Sequence, residues 1–94
     1  MKPRWTAPDA NQNGIVKHLL QIPGLDVIDL HDLGISDVPD ILIGYQNVNF
    51  LVEIKTDKGK LMQGQMYFQD QWPGQKSVAR TLDDVLRIIG VIAI

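Results

Sequence analysis

At 94 residues the chain has room for one domain, near the small end of what folds without staples. It carries no cysteine, which excludes disulfides and thiolate metal sites, and its longest apolar runs fall far below the roughly 18 residues needed to span a bilayer. A net charge of −2 argues against a simple nucleic-acid coat, because binding to phosphate needs a basic surface. The hydrophobic fraction of 45% and charged fraction of 21% are those of an ordinary globular protein, and the start, Met1-Lys2-Pro3-Arg4-Trp5, lacks the apolar core of a secretory signal. The expectation is a soluble, cytoplasmic protein without membrane contact.

Residues 1–8 hold Pro3 and Pro8 and read as an extended arm; residues 9–94 read as a single domain. Asp9 is a suitable N-cap for a helix running to Gln21, with Ile15, Val16, Leu19 and Leu20 on one face. Gly14 weakens that helix by about 1 kcal/mol relative to alanine. Pro23-Gly24 ends it. Leu25 to His31 reads as a strand with Leu25, Val27 and Asp29 on one side and Asp26, Ile28 and Leu30 on the other. A loop around Gly34 covers Asp32 to Asp37.

Pro39 to Tyr45 and Val48 to Lys55 are the two clearest strands. The polar loop Thr56 to Lys60 leads to a helix from Leu61 to Gln71, and Trp72-Pro73-Gly74 turns the chain. Lys76 to Arg80 is a short strand, Thr81 caps a last helix, and Val91 to Ile94 is an apolar tail, buried or paired with another chain. The order α-β-β-β-α-β-α predicts an α/β fold with a mixed central sheet flanked by helices.

The two clear strands can be paired by counting. A two-residue loop at Gln46-Asn47 pairs Tyr45 with Val48, and a four-residue loop pairs Gly44 with Asn49. Both give one register, with Asp40 opposite Glu53. The period-2 rule then puts Ile41, Ile43, Tyr45, Val48, Phe50, Val52 and Ile54 on an apolar face that must meet a helix layer. The other face carries Asp40, Leu42, Gly44, Asn49, Leu51, Glu53 and Lys55. Glu53 is the only glutamate in the chain. Carboxylates directly opposed across strands destabilise a sheet, so compensation is expected from a divalent cation and from Lys55. Asp40, Glu53, the backbone carbonyl of Ile54 and waters suit Mg²⁺ or Mn²⁺. Such a cation activates a water and stabilises charge on a phosphate. The plain alternative is a solvent-facing strand surface on which Glu53 and Lys55 form a weak pair.

Asp40 followed by Glu53-Ile54-Lys55 resembles the Asp, then Glu-x-Lys signature of the restriction-endonuclease-like, or PD-(D/E)xK, nucleases. Val38-Pro39-Asp40-Ile41-Leu42 with Leu51-Val52-Glu53-Ile54-Lys55 is similar, more narrowly, to the VRR-NUC domain in its stand-alone phage and prophage form. Leu61 and Gln65 match the turn and helix that follow in that family. Asp9-Ala10-Asn11-Gln12 with Ile15-Val16 resembles its opening. Trp72, Gly74, Gln75 and Thr81-Leu82-Asp83-Asp84-Val85-Leu86 resemble its close. The likeness spans residues 9–89.

It implies a restriction-endonuclease-like core and a metal-dependent DNA endonuclease, a phosphodiester hydrolase acting on branched, Holliday-junction-like DNA as a homodimer. The setting would be a bacterial host cytoplasm. Asp40 and Glu53 would bind the metal, Lys55 would assist the nucleophile, and Gln65 would lie beside the site. The family's first helix often adds an acid; here that position is Gly14, and Asp9 and Gln12 are the nearest polar residues. Asp37 stands near a position where the family favours glycine, and would add charge to the site or cap the strand entry. The alternative is a catalytically silent DNA-binding or dimerisation module that retains the fold.

Among the remaining residues, Lys58 and Lys60 are the candidate phosphate contacts. His18 reads as a surface residue. His31 and Asp32, near the start of the Asp40 strand, are placed for a catalytic role, but a loop-stabilising hydrogen bond is the stronger reading. Met62, Met66 and Phe68 read as core or dimer contacts, Tyr67 as a base-stacking candidate, and Trp72 as a packing residue.

Overall fold

A computed structural model describes residues 10–93, with side chains described from residue 12. The arm at residues 1–8, Asp9 as helix cap or site contributor, and Ile94 lie outside the described residues. The elements are α1 (Ala10–Leu19), β1 (Leu25–Asp29), a 3-10 turn (Leu30–Leu33), β2 (Ile41–Tyr45), β3 (Val48–Ile54), α2 (Gln63–Gln71), β4 (Ser77–Ala79) and α3 (Leu82–Ile88). The expected order of helices and strands is present. The four strands form one mixed sheet in sequential order, β1-β2-β3-β4. The first three are antiparallel neighbours, and β4 runs parallel to β3 after the crossover through α2.

The β2–β3 register is the one obtained by counting, with Ile41 opposite Val52 and Tyr45 opposite Val48. Gln46 and Asn47 both have positive φ, 52° and 65°, as a type I′ hairpin requires. This two-residue turn matches the right-handed twist of the strands it joins and so fixes every pair above it.

The apolar strand face forms the core. Ile41, Ile43, Val52 and Ile54 of the hairpin join Leu25 and Val27 of β1 and Ala79 of β4. Ile15, Val16 and Leu19 of α1 and Val85 and Ile89 of the α3 end cover them. Each helix offers a stripe at i, i+3 or i+4 spacing, so both pack on the same side of the sheet. The Thr81 hydroxyl accepts from the Asp84 N–H at 3.0 Å, and Asp84 Oδ2 accepts from the Thr81 N–H, a reciprocal cap that fixes where α3 begins.

Three segments differ from expectation. The first strand stops at Asp29 rather than His31, because the Asp29 carboxylate accepts the His31 N–H at 2.9 Å and winds the next residues into the 3-10 turn. Met62 and Met66 of the α2 region are exposed rather than core, and α2 buries no residue. Its Gln65 and Gln69 side chains bond to Glu53 and to the Ser77 carbonyl, and its apolar residues are half-buried or exposed, so helical spacing there does not mark a buried stripe. The tail folds back on its own helix, with the Val91 and Ile92 N–H groups both donating to the Leu86 carbonyl. No helix of the described residues is long and apolar enough to cross a membrane.

Candidate functional site

Extending the β2–β3 register by one step sets Asp40 directly opposite Glu53 on the face away from the core. Both are nearly inaccessible, at 5% and 2% exposure. The Ile54 N–H donates to Asp40 Oδ2 at 2.7 Å, so the first carboxylate is held by the backbone of the strand that carries the second. The Leu30 N–H donates to the Asp40 carbonyl at 2.9 Å, continuing the sheet toward β1. A further step of the register sets Ile54 opposite Pro39. Proline has no N–H to give, so the ladder offers the Ile54 carbonyl no partner at the point where a third oxygen donor would be wanted.

Two opposed, buried carboxylates cannot both stay ionised without cost. Glu53 absorbs the conflict: burial first, then the charge of Asp40 and a hydrogen bond to it, push its pKa from 4.5 up to about 8, while Lys55 pulls the other way. The Lys55 ammonium is 3.9 Å from Glu53 Oε2 and largely covered. Gln65 Nε2 donates to the same Glu53 oxygen at 3.3 Å, and its Oε1 accepts the Met62 N–H at 2.8 Å. The first turn of α2 therefore orients a side chain onto Glu53.

The sequence-derived residues Asp40, Glu53, Lys55 and Gln65 thus converge on one point. Lys58 and Lys60 lie exposed on the loop that follows β3. Gln12 is buried on the core side of α1, its Nε2 has no partner, and no described contact joins it to either carboxylate. Asp37 is exposed at φ 71°, which explains why glycine suits that position. A Cβ on Gly64 in α2 would overlap the Asp37 carboxylate, so the loop before β2 rests on the start of α2. Phe68 stacks on Trp72 with ring centres 5.2 Å apart, although Trp72 itself is exposed; Tyr67 is exposed, and His18 is exposed with Nδ1 2.9 Å from the Gly14 carbonyl oxygen.

Two further residues matter at the site, one ranked below a loop contact in the sequence and one missed. His31 Nε2 lies 2.5 Å from Asp40 Oδ1. The sequence signal was its place at the strand end near Pro39-Asp40, which favours a loop hydrogen bond over a catalytic role. Arg80, at the end of β4, donates from Nη1 to the Thr56 carbonyl at 2.6 Å and the Gly59 carbonyl at 2.5 Å. It therefore holds the lysine-bearing loop from 24 and 21 residues away, which no local pattern reveals.

The donor set fits Mg²⁺ or Mn²⁺. Among the described residues no group of three or more His, Cys, Asp or Glu side chains gathers as a metal cluster. A cation here would be held by two carboxylates, one backbone carbonyl and waters, and Mg²⁺ commonly keeps several waters beside one or two carboxylates. Burial, ahead of the Asp40 charge, raises the Glu53 pKa, and a cation bound there would favour the ionised form. No protein-family model matches the chain, and no curated protein or solved structure matches it.

Proposed function

We propose that this chain is a metal-dependent endonuclease with a restriction-endonuclease-like core, which hydrolyses phosphodiester bonds of DNA. The observation that carries the reading is the buried opposition of Asp40 and Glu53, with Lys55 beside Glu53 on the same strand. A pair of carboxylates this poorly compensated is costly as architecture and useful as a cation site. The resemblance of the Pro39-Asp40 and Glu53-Ile54-Lys55 strands to VRR-NUC nucleases supports the same chemistry.

Asp40 and Glu53 would hold Mg²⁺ or Mn²⁺ with the Ile54 carbonyl as third protein donor. Bound there, the cation supplies a water of lowered pKa and positive charge for the phosphate oxygens. Lys55, beside Glu53, would orient an attacking water toward phosphorus, with the bond to the leaving oxygen breaking on the opposite side. Gln65 keeps Glu53 in its rotamer. Lys58 and Lys60 grip phosphates on the loop beyond the site. A homodimer would present two such centres to two strands of a branched junction, in the cytoplasm of a bacterial host.

The test is cleavage of branched and linear DNA by the purified protein with Mg²⁺ or Mn²⁺, beside Asp40→Ala and Lys55→Ala. Wild type is expected to cut and each variant to lose at least about 100-fold, the scale of one electrostatic catalytic group. Equal cutting by all three, or none by wild type, overturns the reading. A catalytically silent DNA-binding or dimerisation module is the second reading. It is favoured by Gly14, which faces open space where the family's first helix often adds an acid. DNA binding without cleavage in that assay would select it.

A further inference from the structure

Asp40 is held at both oxygens, and the second holder is a histidine that the proposed reaction has not used. Its Oδ2 accepts from the Ile54 N–H, and its Oδ1 lies 2.5 Å from His31 Nε2. Because an ionised carboxylate only accepts, the imidazole must carry its proton on Nε2 to make this contact. The local chain is built to deliver that ring. The Asp29 carboxylate accepts the His31 N–H and starts the 3-10 turn. The Leu30 N–H, one residue earlier, bonds to the Asp40 carbonyl. Gly34, at φ 68°, returns its N–H to the His31 carbonyl at 3.3 Å and closes the turn. The ring also sits 3.8 Å from Asp29 Oδ1 through Nδ1, so carboxylates flank it on both nitrogens. Its side chain is 42% exposed, against 8% for Asp40, so His31 stands at the mouth of the site and Asp40 behind it.

We infer that His31 is a positioning residue for Asp40, fixing the plane of that carboxylate so that the remaining lone pairs of its two oxygens face a divalent cation. This rests on the metal-dependent reading above and adds a specific residue to it. The Ile54 N–H and His31 each take one lone pair of a different oxygen, and the hydrogen bond from protonated Glu53 is given up when a cation ionises that side chain, so the two donors orient the ligand without occupying it. Outer partners of this kind set the direction and basicity of metal-binding side chains, and their loss costs about 10- to 100-fold in metal affinity or activity. Glu53 has its own outer partner in Gln65 Nε2, so each carboxylate of the pair is oriented from a different element. The 3-10 turn serves Asp40, and the first turn of α2 serves Glu53.

The experiment is calorimetric titration of the full chain with Mn²⁺, comparing wild type, His31→Ala and His31→Gln, with melting temperature and DNA cleavage measured alongside. His31→Ala is expected to weaken Mn²⁺ binding by about 10- to 100-fold. Its metal-free melting temperature should stay unchanged, and excess Mn²⁺ should restore most of kcat with little change in KM for DNA. His31→Gln, which keeps a side-chain N–H donor, is expected to recover much of the affinity. Unchanged Mn²⁺ affinity in His31→Ala overturns the inference even where wild type cuts DNA. If wild type binds Mn²⁺ but cuts nothing, the nuclease reading falls while the affinity ratio still decides this one. A wild type that binds no Mn²⁺ overturns both.

Discussion

Glu53 concentrates the tension of the site in one side chain. In the unfolded chain it titrates near its ordinary value of 4.5; folded, it titrates near 8. Between those values the folded protein holds a proton that the unfolded chain has released, so folding stability falls as pH rises through that window. The expected outcome for the cation-free protein is a melting temperature that declines steadily from about pH 4.5 to 8. Saturating Mn²⁺ or Mg²⁺ favours the ionised form and should flatten that decline, with affinity for the cation rising over the same range. Glu53→Gln keeps the shape of the protonated acid and cannot ionise. It should remove most of the pH dependence, melt higher than wild type at pH 8 without metal, and lose divalent-ion binding and cleavage together. Thermal melts from pH 5 to 9, with and without cation, check all of these outcomes. A wild-type curve that rises with pH would contradict the site as described.

At the scale of elements, what could be read in advance separates cleanly from what could not. The β2–β3 register was legible because a two-residue loop leaves no freedom in the count, and a slip of one residue would turn Ile41, Ile43, Val52 and Ile54 out of the core. The Thr81 cap was legible because its partner, Asp84, lies three residues away. The 3-10 turn was not, because a strand and a capped turn compete locally over Leu30 to Leu33, and Asp29 decides through its own side chain. His31 was therefore legible as a neighbour of the Asp40 strand but not as the partner of the Asp40 carboxylate. Gln65 was legible only through the family resemblance, since nothing in the spacing of α2 says which of its glutamines meets Glu53. Arg80 was illegible because its partners lie across a parallel crossover. Its consequence can be measured. With both carbonyl bonds gone, Arg80→Ala should free the Thr56–Lys60 loop and weaken DNA binding several-fold through KM. Mn²⁺ affinity should change little, because the two Arg80 carbonyl bonds go to the Thr56–Lys60 loop and not to Asp40 or Glu53. Equal DNA affinity of wild type and Arg80→Ala in fluorescence titration would show that the loop needs no clamp.

At the scale of the whole molecule, the described residues are lopsided. One face of the sheet carries α1, α3 and the buried apolar cluster; the other carries the site and α2. Ile28 of β1, on the site face, is exposed, as are Met62, Met66 and Tyr67 of the α2 region. Large apolar side chains on an open face are what a second copy would cover, although scattered single residues also occur on monomers. Size points the same way. The described residues measure 35 × 29 × 25 Å, about one turn of duplex DNA in length, and carry one Asp40–Glu53 pair, so cutting two strands of a junction would need a second copy. A two-fold pair through the α2 face would bury these residues and set two Asp40–Glu53 centres on a common side. The expected solution mass at micromolar concentration is therefore twice 10.6 kDa by light scattering. Met66→Glu, on the exposed side of α2, should yield monomers with unchanged Mn²⁺ affinity but sharply reduced cleavage of branched DNA. If wild type is monomeric at every concentration tested, or Met66→Glu remains a full dimer, the α2 face is not the interface. The second centre must then come from elsewhere or is not needed.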